Sequence, residues 1–157
     1  MSETVKAPFV VRVPPPVWAL IFIGIALAVD GARGWTREAA LRSLPVGIPV
    51  VVLGVALAAW ARILFAREGT QVLPSSKTNR VLVTRGPFAF SRNPMYVGVL
   101  MVVGGVAIWV GSISLLVAVV PTFLVIRFGA IPFEEAKMER QFGDAYRAYK
   151  AKVRRWG

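Results

Sequence analysis

Three long charge-free blocks dominate the pattern of the chain. Residues 13–29 give 17 positions without a charge, ending at Asp30; residues 43–61 give 19, ending at Arg62; residues 93–126 give 34, ending at Arg127. A helix that crosses a membrane needs about 20 apolar residues, within a range of about 17–25. The first two blocks fit one such helix each. The third is too long for one, and Gly111-Ser112 near its middle offers a turn, so it reads as a tight hairpin of two short helices. The predicted spans are about 14–29, 44–62, 95–110 and 113–130.

Prolines sharpen these limits. Pro14, Pro15 and Pro16 give a rigid lead into the first span, and Pro94 opens the third, positions where a missing amide donor costs little. Pro45 and Pro49 fall in the early turns of the second span. Pro121 inside the fourth predicts a kink. Beyond Pro132, Met138, Phe142, Tyr146, Tyr149, Val153 and Trp156 recur at spacings of 4, 4, 3, 4 and 3. That is one apolar stripe on a helix with basic faces, predicted over 133–156 and expected to lie flat on the membrane surface. The fold expected is therefore all-α: a single polytopic membrane domain, 1–157, of about four transmembrane helices and a C-terminal amphipathic helix. A soluble bundle would not need blocks of this length.

Composition agrees, with 56% hydrophobic residues and a mean hydropathy of +0.62. The net charge of +11 invites a nucleic-acid partner, but its distribution argues against one. Six Lys/Arg lie in 62–92 and eight from Arg127 onward, against three in 30–42 and none at the Gly111 turn. Positive charge near helix ends collects on the cytoplasmic side. Both termini and the 62–92 loop are thus expected in the cytoplasm, most simply of a bacterial inner-membrane protein. Four spans give the even parity this requires. Ala26-Leu27-Ala28 resembles a signal-cleavage site, but loss of the first helix would break that parity, so retention is expected.

The chain has no cysteine and no histidine. No disulfide or thiolate metal site is possible, no metal is expected, and the commonest general base is missing. Chemistry must come from carboxylates, guanidiniums, Tyr, Asn, backbone or a cofactor. Two constellations offer it. In TRGPFAFSRNPMYVG, residues 84–98, two prolines fix the backbone, Gly86 permits a turn, and Asn93 is placed to cap the helix that Pro94 opens. The first-turn amides with Arg85 and Arg92 would suit an anion, although the arginines could equally be topology markers. The second constellation is Arg127 with Glu134 and Glu135. Seven residues are two helical turns, so a continuous helix would put Arg127 and Glu134 on one side. A glutamate pair could also simply favour the start of the tail helix.

The order GPF…SRNPMYVG, two spans, then EEAKMERQFGDAYRAYKAKVRRW resembles the integral-membrane methyltransferases, among them isoprenylcysteine carboxyl methyltransferase and phosphatidylethanolamine N-methyltransferase. The likeness covers roughly residues 80–156. It implies an S-adenosylmethionine-dependent enzyme. Gly86, Pro87, Arg92, Asn93, Pro94, Tyr96 and Gly98 would wall the cofactor pocket, with Glu134 and Glu135 as the family's paired glutamates. Phe142, Gly143, Tyr146 and Tyr149 match the tail that covers the pocket. Arg92, Arg127 and Glu135 are the candidate catalytic residues, Glu135 being the first choice for the base. Prenylcysteine-type members carry histidine where this chain has Asn93, so the Asn-Pro-Met-Tyr form looks closer to the phospholipid branch and favours an amine acceptor over a carboxylate. The expected acceptor is a lipophilic or amphipathic small molecule, with membrane lipid as partner. Two rivals stay open: an NAD(P)H-dependent membrane reductase related to the sterol reductases, and a non-catalytic lipid-binding membrane protein. No strand followed by GxGxxG is present, which disfavours a soluble Rossmann methyltransferase.

Overall fold

Pro15 and Pro16 occupy the first turn of α1 (Pro15–Ala32), where proline's fixed φ is already helical. The structure, a computed structural model, describes residues 13–68 and 81–157; the polar tail before the prolines and the Pro74, Ser75 and Ser76 part of the long loop lie outside them. α2 (Leu44–Arg67) also starts on a proline and carries Pro49 one turn in. After a short 3-10 turn (Gly86–Ala89), α3 (Pro94–Val110) ends at Gly111, and Ser112 starts α4 (Ile113–Val125) by accepting from the Leu115 N–H at 3.0 Å. A π turn (Ile126–Ala130) leads without a break into α5 (Ile131–Phe142), and α6 (Asp144–Lys152) follows Gly143. Among the described residues there is no strand.

The runs Pro15–Ala32, Leu44–Arg67 and Ile113–Phe142 are long and apolar enough to cross a membrane. Pro94–Val110, with 17 residues, sits at the short end of the range. The four expected helices are thus present, with the hairpin at Gly111. Pro121 lies inside an unbroken α4.

α2 packs along α3, α4 covers both α1 and α3, and large apolar side chains such as Leu20, Val52 and Val117 face outward, as a lipid solvent requires. The α2–α3 contact depends on glycine. A Cβ on Gly98 would stand 2.5 Å from the Gly54 carbonyl oxygen, and one on Gly47 would stand 2.5 Å from the Trp109 backbone nitrogen. Small residues let the two backbones approach this closely.

One end of the bundle is clasped shut. Asp30, buried near the end of α1, accepts from the Ser112 hydroxyl at 2.6 Å and from Arg37 at 3.0 Å. The Glu38 N–H donates to the Gly111 carbonyl at 2.9 Å, and the Ser43 N–H donates to Ile108 at 3.0 Å. Loop and hairpin therefore share one end, opposite the Gly86–Ala89 turn. Asp30→Ala removes two hydrogen bonds to a charged acceptor, and we expect it to lower stability by about 2–3 kcal/mol. Thermal unfolding in detergent checks this; an unchanged midpoint would show the clasp to be ornamental.

The tail departs from expectation. It is not one helix over 133–156 but a continuation of α4 followed by a break at Gly143, whose φ of 51° is strained for any residue with a Cβ. The break turns α6 back toward the loop before α3. Tyr146 and Tyr149 are consequently buried in protein, at 4% and 9% exposure, and do not lie on a membrane surface.

Candidate active site

The segment that opens α3 is folded onto the end of α2. Phe88 packs edge-to-face on Phe65, ring centroids 4.8 Å apart, beside Ala61 and Val83. Gly86 has the left-handed φ of 61° expected of its turn. With Phe88 pinned, its carbonyl accepts from the Tyr149 hydroxyl at 2.7 Å, which ties α6 to this turn. Burial pushes the Tyr149 hydroxyl up to about 12, against the opposing pull of Arg92, and burial likewise raises Tyr146. Both phenols stay neutral donors at physiological pH.

Ser91, Arg92 and Asn93 then grip the C-terminal residues. The Arg92 N–H donates to the Arg154 carbonyl at 3.0 Å, and its guanidinium donates to the carbonyls of Lys150 at 2.9 Å and Val153 at 3.0 Å. The Ser91 hydroxyl and the Asn93 side-chain amide both donate to the Arg155 carbonyl, at 3.2 and 3.0 Å. Asn93 thus stands at the N-cap position without capping α3 through its side chain. Its amide is spent on the tail.

Glu135 lies at the centre of this network. Arg92 donates to its Oε1 at 2.8 Å, and Arg155 donates to both oxygens, at 3.1 and 2.6 Å. Bidentate guanidinium–carboxylate pairs of this kind are the strong ones. Glu134, the neighbouring carboxylate, instead accepts from the Tyr96 hydroxyl. The Nε of Arg92 and the Nε1 of Trp156 are buried polar atoms without a hydrogen-bond partner among the described residues.

Beside these groups lies a cavity of about 440 Å³, within the range usual for small-molecule sites. Eight of the residues expected at the site line it: Arg92, Asn93, Pro94, Tyr96, Glu134, Glu135, Tyr146 and Tyr149. Four others do not. Gly86 and Pro87 shape the turn behind Phe88, and Gly98 faces Gly54. Arg127 lies 5.9 Å from the Phe128 ring, away from the cavity lining. The π turn accounts for Arg127: its i→i+5 bond, Ile131 N–H to the Ile126 carbonyl, adds a residue to the winding, so seven residues no longer return to the same side. Arg85 also stays out of the cavity, paired with Glu68 at the surface.

The remaining lining went unanticipated. Phe65, Leu82, Val83, Phe88, Met95 and Val99 form an apolar wall, with Arg62 and Lys137 as its cations and Pro14 to Pro16 at the edge. Periodicity marks such residues only as span-forming. Arg155 was hidden among the basic residues of the tail, although VRRW directly after the aromatic stripe was an available signal.

The residues fit S-adenosylmethionine. A sulfonium and an ammonium suit carboxylates and aromatic faces, and here two glutamates and three tyrosines share one cavity. Comparison with known proteins points the same way. A family model described as phospholipid methyltransferase matches residues 43–145. A protein of Haemophilus influenzae, described as uncharacterized, is 40% identical over 62 residues, 40% of this chain and 98% of that protein. No solved structure matches. Since the matched stretch spans more than half of its length, the chain belongs to the phospholipid methyltransferase family, whose members are membrane methyltransferases that generally use S-adenosylmethionine.

Proposed function

We propose that the protein methylates an amphipathic amine, of the phospholipid class, at the cytoplasmic face of a bacterial inner membrane, with both termini on that side. The observation that carries this reading is the cavity itself, polar and carboxylate-lined on one side and apolar on the other, at the end of the bundle richest in Lys and Arg. A headgroup phosphate would find Arg62 and Lys137 along the wall, and the acyl portion would find Phe65, Met95 and Val99. A prenylcysteine-like carboxylate would gain less from those cations, because they would compete for the reacting group.

When bound, S-adenosylmethionine supplies an electrophilic methyl group on a sulfonium. Arg92, Asn93 and Pro94 form one wall for it, and Tyr146 and Tyr149 close the other. A methylated amine must lose a proton, and a carboxylate is the available acceptor. Of the two, Glu134 suits the role better than Glu135, the first choice from sequence. Glu135 is neutralised by two guanidiniums, whereas the hydrogen-bond partner of Glu134 is the neutral Tyr96 hydroxyl. Glu135 then serves to hold Arg92 and Arg155 in place.

The test is titration of S-adenosylmethionine into detergent-purified protein by calorimetry, with NADPH as the control, followed by turnover on phospholipid extracts. S-adenosylmethionine is expected to bind and NADPH is not. Glu134→Gln is expected to lower turnover by about 10²-fold or more. Binding of NADPH instead would favour a reductase, and full turnover by the glutamine variant would remove Glu134 from the proton path.

A further inference from the structure

The family match ends at residue 145, yet a polar network built on residues within it reaches to groups beyond it. Ser91, Arg92 and Asn93 direct five hydrogen bonds at carbonyls between Lys150 and Arg155. Lys150 lies in the last turn of α6, but Val153 is extended, so the carbonyls from Val153 to Arg155 belong to a strap crossing the start of α3. Trp156 anchors the far end of the strap on Phe123 of α4, ring centroids 5.2 Å apart. Between these two attachments, the Arg155 side chain grips both oxygens of Glu135.

We propose that Arg155 is a positioning residue for the cavity, acting through Glu135, and that the strap of residues 153–156 must be seated for the cofactor to bind. The proposal rests on reading the cavity as the S-adenosylmethionine site. Its physical logic is division of labour. The Arg92 guanidinium is committed to the Lys150 carbonyl at the end of α6, the Val153 carbonyl of the strap and one Glu135 oxygen, so on its own it would leave the other oxygen free to rotate. The Arg155 fork fixes both oxygens and hence the plane of the carboxylate that forms part of the cavity wall. The pairing is reciprocal, because Glu135 also draws the strap onto Ser91 and Asn93. Lysine in place of Arg155 keeps the charge but loses the two-pronged geometry.

Two readouts separate this proposal from the reading beneath it. Strap seating is followed without cofactor, as the rate of tryptic cleavage after Lys150 and Lys152 in folded, detergent-solubilised protein. Cofactor affinity is followed by calorimetry. Arg155→Ala is expected to speed cleavage and to weaken S-adenosylmethionine binding by about 10- to 100-fold, the range for losing a charge-assisted hydrogen bond. Arg155→Lys should fall between the two, and it stands in if the alanine variant does not fold. In a Glu135→Gln background, Arg155→Ala should weaken binding little further, because the two residues act as one unit. Unchanged cleavage and affinity in both Arg155 variants would overturn the proposal, as would losses that simply add. If the native protein binds no S-adenosylmethionine, the cofactor reading fails, and the strap's dependence on Arg155 and Glu135 still stands or falls on the cleavage rates.

Discussion

Glu135→Ala is expected to lower the stability of the folded protein by about 3–5 kcal/mol, the cost of breaking a buried ion network by removing one partner. The side chains of Arg92 and Glu135 are each only 10% exposed, and that of Arg155 is 26% exposed. Without the carboxylate, two guanidiniums converge on one site with no anion between them. Arg92 cannot turn away without releasing the carbonyls of Lys150 and Val153. The α6 segment and the strap would then loosen together. Thermal unfolding in detergent should show a midpoint roughly 10 °C or more below the native protein. A loss under about 1 kcal/mol would mean that water already carries much of the charge, as at surface pairs.

Gly98→Ala should be comparably damaging for a different reason. Its added methyl group would meet the Gly54 carbonyl oxygen at 2.5 Å and the Ala58 Cβ at 2.9 Å. Neither can rotate aside as a long side chain would, so α2 and α3 must separate along their whole interface. We expect a cost of about 3 kcal/mol or more, the upper range for overpacking. Gly104→Ala, further along the same helix, is the contrast: its Cβ would have the Val119 Cγ2 at 3.9 Å, ordinary contact. That variant should be neutral or slightly stabilising, since alanine is the better helix former. Equal unfolding midpoints for the two variants would refute a close α2–α3 approach.

The membrane helices were legible because hydrocarbon imposes a demand that composition alone records: a run of about 20 apolar residues with its polar backbone satisfied internally. The hairpin at Gly111 and the proline starts of α1, α2 and α3 follow from local chemistry and were equally readable. The third span's small residues were less so. Spacing cannot tell Gly98, which faces Gly54, from Gly104, whose Cβ would make only ordinary contact with Val119.

The candidate site divides along the same line. Glu134, Glu135, Arg92 and Tyr96 were named from motif order, and all four line the cavity. Arg155 and the strap were not, because their partners lie 20 to 64 positions away in sequence, where no periodicity connects them. The aromatic stripe misled for a physical reason: an apolar face that suits lipid suits a protein groove equally well. Only the break at Gly143 decides between them, by folding α6 inward.

The π turn at Ile126–Ala130 carries a last consequence. It joins the membrane-anchoring part of the rod to the part that bears Glu134 and Glu135. Each residue of an α-helix turns the chain by about 100°. The extra residue in this joint therefore sets the compass bearing of both carboxylates relative to the anchor, much as the keyway on a shaft fixes the angle of a wheel. Side chains in the joint can vary while the bearing holds, but a change in its length by one residue would re-aim the carboxylates and leave the anchor in place. On the proposed function, the count of residues between membrane and site would itself matter to activity.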